Sequence, residues 1–143
     1  MHAAVADRPL DAKQVGWFAA RQPGVVRFLE QRLLATSGDT FALALEASWR
    51  VCRAFAARDD VPPSRVPRSL LERAAAAVEL EMMGTTVCGE TCAHRQPDMC
   101  EWVRGYCSHP PLPLTAAERR DLAVALLALV YALDEETTGR AVP

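Results

Sequence analysis

Lysine is almost missing from this chain: of its 16 basic residues only Lys13 is one, and the other 15 are arginine. With alanine abundant throughout, the skew is read as the coding bias of a GC-rich genome and given no functional weight. Surplus charge is missing too. The formal net charge is -2, with +2 on residues 1–80 and -4 on 81–143, so neither half is a strong attractor of nucleic acid or another polyanion. The longest apolar run, Leu122 to Leu133, is twelve residues and falls short of the roughly 20 that span a bilayer. At the N-terminus, Asp7, Arg8 and Asp11 stand where a secretory signal would be apolar. A cytoplasmic protein without a membrane partner is therefore expected, in a compartment where clustered cysteines favour metal or redox chemistry over structural disulfides.

Several motifs are missing as well. Neither GxGxxG nor GxxxxGK[ST] occurs, so nothing cradles a nucleotide phosphate. GxSxG is absent and neither Ser37 nor Ser48 has a histidine near it in sequence, which leaves a serine hydrolase unsupported. Apolar and polar residues nowhere alternate with a period of two, no hairpin dipeptide appears, and no repeat is visible.

What is present is helical spacing. Residues 11–21 form a first short helix with Val15, Trp17, Phe18 and Ala19 available for burial, ended by Pro23-Gly24. Val25, Val26, Leu29, Leu33 and Leu34 recur at intervals of three and four in a second, broken at Thr36-Ser37-Gly38-Asp39, with Asp39 placed to cap the next. A third, over 40–58, carries Phe41, Leu45, Ser48, Cys52 and Phe55 on one stripe beside Trp49, which makes Cys52 a core thiol and takes it out of any site. Trp17 and Trp49 are both expected in the core. Val61 to Pro67 holds three prolines and reads as a stiff connector. Ser69 and Glu72 match a capping box for a helix over 70–83, with Leu71, Ala74, Ala75, Val78 and Met82 inward and Gly84 as its stop. After an extended link at 109–114, Thr115 and Glu118 form a second capping box for a helix over 116–135 that is apolar nearly all round, hence central. The expected fold is all-α: one domain over 1–143, a bundle of four to five helices with a Cys-rich loop or short-helix insertion before the last.

That insertion, the Cys/His-rich segment 84–114, carries the chemistry. It holds Cys88, Cys92, Cys100 and Cys107, with His94 and His109, yet only four Val or Leu residues in 31. So little apolar surface cannot offset an ordering entropy of about 1–2 kcal/mol per backbone residue. Four thiolates can close a tetrahedral zinc site or hold an iron–sulfur cluster, and either would staple the segment. Cys88 and Cys92, four apart, meet on one helical turn. Cys100 and Cys107, seven apart, would be separated by about 10 Å on a continuous helix. Both bind one zinc only if a helix from Pro97 ends near Gly105 and folds Cys107 back; otherwise His94 or His109 takes its place. The segment lacks paired CxxC knuckles, CxxCH and the ferredoxin CxxCxxC run.

The reading that follows is a non-enzymatic binding, accessory or regulatory protein with a zinc site, its partner another protein. One alternative is an iron–sulfur redox or gas sensor contacting nucleic acid through Arg65, Arg68 and Arg73, since a helix-turn-helix can be drawn across 45–80. A second is a thiol- or metal-dependent enzyme pairing a cysteine with His94 or His109.

Overall fold

The computed structural model describes residues 11–35, 37–59, 64–84 and 96–138. Among them there are six helices and no strand: α1 Ala12–Arg21, α2 Pro23–Leu29 continued by a π-helical turn Glu30–Leu34, α3 Gly38–Asp59, α4 Arg68–Met82, α5 Pro97–Ser108 and α6 Ala116–Thr138. The all-α expectation holds. The helix count exceeds four to five because the C-terminal part of the Cys-rich stretch is itself a helix, α5.

α6 is the centre of the molecule, with α3, α4 and α5 packed against it. Every residue from Val124 to Asp134 is buried, so no face of this stretch meets water. Its start is the expected capping box: Thr115 N–H donates to Glu118 Oε1 at 2.9 Å, and Glu118 N–H donates to Thr115 Oγ1 at 3.1 Å.

Directions follow from four side-chain links. Thr40 Oγ1 donates to Glu118 Oε2 at 3.3 Å, which brings the N-termini of α3 and α6 together. Tyr106 Oη donates to the Leu43 carbonyl at 3.4 Å, and Arg58 Nη1 donates to Gln96 Oε1 at 2.5 Å, so α5 runs antiparallel to α3. Gln96 Nε2 then donates to Asp134 Oδ1 at 2.7 Å, placing the start of α5 beside the last turns of α6.

Several local expectations are corrected. Ser37, and not Asp39, caps α3: its Oγ accepts from Thr40 N–H at 3.1 Å, and Asp39 lies in the first turn, where its charge still suits the helix dipole. The Ser69 capping box does not form, because α4 starts at Arg68 behind Pro67, which has no side-chain cap. The start is set from outside the helix. Gln22 donates to the Ser64 carbonyl and accepts from Val66 N–H, both at 3.0 Å, and thereby pins the connector on α2. Gly24 permits that approach, since a Cβ there would stand 2.3 Å from the Val66 carbonyl oxygen. Val61, Pro62 and Pro63 of the connector lie outside the described residues.

Burial bears out Cys52, Trp49, Leu71, Ala74, Ala75 and Val78 as core. Trp17 is 52% exposed and Met82 42%, against expectation. α1 is short and buries fully only Phe18, 100° round the helix from Trp17, while Met82 lies in the last turn of α4, past Val78, the last buried residue of that helix. Gly84 ends α4 as expected, at φ +84°.

Candidate metal centre

The end of α4 and the start of α5 are both held near the C-terminal end of α6. Glu81, in the last turn of α4, accepts a hydrogen bond from the Tyr131 hydroxyl, and Gln96, just before α5, bonds Asp134. Tyr131 and Asp134 are three residues apart on α6, so Glu81 and Gln96 are bonded to it within about one helical turn of each other. Cys88, Cys92 and His94 lie in that stretch, outside the described residues.

Gln96 is 7% exposed and engaged at both ends of its amide, by Arg58 and by Asp134. Its carbonyl accepts the Cys100 N–H at 3.0 Å, which fixes Cys100 in the first turn of α5. Cys100 is fully buried on the face turned to the bundle, with Met99 and Val103.

Gly105 does not turn the chain. α5 continues through it to Ser108, so Cys107 is not folded back, and the two cysteines stand two turns apart, a rise of about 10 Å. Two thiolates on one zinc are each about 2.3 Å from it, which leaves them less than half that distance apart. Cys100 and Cys107 therefore cannot share a zinc on this helix. His109 caps the far end of α5 and is exposed, two residues from Cys107 and still farther from Cys100. The structure thus sorts the described candidates into Cys100 at the Gln96 end of α5, and Cys107 with His109 at the other.

Cys107 is buried and follows Tyr106, whose ring stacks on that of Trp102 with centroids 5.1 Å apart. Burial pushes its thiol up to about 12, as it does for Cys52, so neither is a thiolate nucleophile near neutral pH. Tyr106 is also raised to about 12, by burial first and then by Glu46.

Sequence reasoning missed Gln96 and Asp134, whose bond fastens the start of α5 to α6. The signal available was an aspartate at the end of an otherwise apolar helix, which has to find a donor. Arg65, Arg68 and Arg73 do not form one face. Arg68 donates to Gln31 at 3.2 Å and leans on Glu72, whereas Arg73 is five residues on and about 140° around α4. The link between α3 and α4 spans eight residues, longer than the three or four of a helix-turn-helix. No helix among the described residues is long and apolar enough to cross a membrane, and no three His, Cys, Asp or Glu among them gather to hold a metal ion. Comparison with protein families, with curated proteins and with solved structures found no match.

Proposed function

We propose that the chain is a non-enzymatic binding or regulatory protein whose Cys-rich segment is folded by one zinc ion, held by Cys88, Cys92 and Cys100 with His94 as the fourth ligand. The observation that carries this reading is that Glu81 and Gln96, which flank the cysteine-bearing stretch, bond to Tyr131 and Asp134 one turn apart on α6, and that Gln96 leads directly into the turn of α5 that holds Cys100. Three thiolates and an imidazole make a closed tetrahedral set, the arrangement of structural zinc, which leaves no position for a substrate. Ligand spacing supports the set, since Cys88, Cys92, His94 and Cys100 fall within 13 residues. The partner is another protein. Leu80, Met82 and Met83, 39%, 42% and 73% exposed, leave an apolar surface at the end of α4, and methionine packs adaptably against a partner.

Elemental analysis of anaerobically purified protein, with a visible spectrum, tests the reading. About one zinc per chain is expected, lost in Cys88→Ser and Cys92→Ser and retained in Cys107→Ser. Less than about half an equivalent of zinc in the parent protein defeats it, and a coloured preparation with iron and sulfide replaces zinc by a cluster on the same thiolates.

A further inference from the structure

α5 is joined to the bundle by one face and one end. Met99, Cys100, Val103 and Cys107, each at most 5% exposed, form its buried face, and α6 is the helix it lies against. Asp98, Glu101, Arg104, Gly105 and Ser108 are exposed. It reaches α3 through long side chains, Arg58 to Gln96 and Tyr106 to the Leu43 carbonyl. Beyond Ser108, Pro110, Pro111 and Pro113 keep the helix from being extended. A helix of this length that contains a glycine is marginal by itself, so docking is what orders α5.

Gln96 is the fastening. Its amide bridges Arg58 and Asp134 while its carbonyl accepts the Cys100 N–H, so the residue that holds α5 to α6 also places Cys100. Glu81, on the other side of the cysteine-bearing stretch, is bonded to Tyr131 one turn away from Asp134. On the zinc reading, on which this inference rests, Cys100 shares an ion with Cys88, Cys92 and His94. Docking of α5 holds Glu81 and Gln96 close together and so reduces the entropy lost in closing the ligand loop. An ion that binds the docked arrangement more tightly stabilises it in turn, by mass action.

We propose that metal occupancy sets the docking of α5: with the ion bound the helix lies on α6, and when the ion is removed it detaches, baring Met99, Val103, Cys107 and the apolar surface of α6 that they cover. The rest of the bundle stays folded, since α3 and α4 pack on α6 by contacts of their own. Cys107 reports the change without being a ligand, because it stands two turns, about 10 Å, from Cys100. Cys52, buried on α3, is the internal control.

The test is timed alkylation of the full chain with iodoacetamide, read cysteine by cysteine by mass spectrometry, before and after metal removal by a chelator, with the zinc content of each sample measured. Burial holds the Cys52 and Cys107 thiols up at about 12, so both should label slowly with zinc bound. Metal removal is expected to speed Cys107 by at least about tenfold and leave Cys52 slow, and added zinc to restore protection. Gln96→Leu should speed Cys107 even in excess zinc. Cys107 equally slow with and without zinc overturns the proposal and leaves the zinc reading standing. Cys52 and Cys107 speeding up together also overturns it, because the bundle then opens as one unit. A parent protein without zinc defeats the zinc reading itself and the proposal with it.

Discussion

Glu118 shows how one side chain can join two helices. Its carboxylate accepts from the Thr115 backbone, from Ser37 and Thr115 hydroxyls and from Thr40, and these bonds hold it well below the usual carboxylate range, at about 2. It sits where the N-termini of α3 and α6 meet, the end of each helix that favours negative charge. A carboxyl lowered from 4.5 to about 2 contributes stability that is present above pH 4.5 and lost as pH falls toward 2. Glu118→Gln is expected to remove this part of the acid dependence, so thermal melts of parent and variant should converge as pH drops through that window. The capping box itself was legible in the sequence, because Thr and Glu three apart before an apolar run have a local geometry. The bond from Thr40, 78 residues away, was not.

Among the elements, α5 depends most on its surroundings. Twelve residues are marginal for an isolated helix, and this one includes Gly105. Sequence spacing left open whether the chain breaks at Gly105. Burial of Met99, Cys100, Val103 and Cys107 along one face decides that it does not, since a break there would withdraw Cys107 from the core. Gln96 locks the start of this helix to α3 and α6 together. Gln96→Leu would keep the volume but leave the Asp134 carboxylate, 2% exposed, without its amide donor. Hydrogen bonds to charged groups contribute about 1.5–3 kcal/mol each, so a loss of roughly 3 kcal/mol is expected in urea unfolding. A loss below about 1 kcal/mol would show that Gln96 does not fasten α5.

For the whole molecule, the central position of α6 sets the energetics. Ala125, Ala128 and Ala132 are fully buried among leucines, and small residues there let the surrounding helices approach closely. Ala128→Leu adds volume where none is free, and overpacking of this kind costs about 1–3 kcal/mol. In a chain of this size that lowers Tm by roughly 2–4 °C per kcal/mol, measurable by calorimetry. An unchanged melting temperature would mean that the helices around α6 are not closely packed.

The sequence by itself determined the all-α class, five of the six helices, the central helix and the core thiol Cys52, because these follow from local propensity and from the period at which apolar residues recur. It also marked Cys88, Cys92, Cys100 and Cys107 as the chemically distinctive group. Only the tertiary structure decided that Cys100 and Cys107 belong to opposite ends of one helix, that Trp17 faces water, and that Gln22 pins the connector to the start of α2. Each of these depends on contacts between residues far apart in the chain: Gln96 with Arg58 and Asp134, Gln22 with Ser64 and Val66. Periodicity reports which face of a helix is apolar, and it carries no information about which neighbour that face will meet.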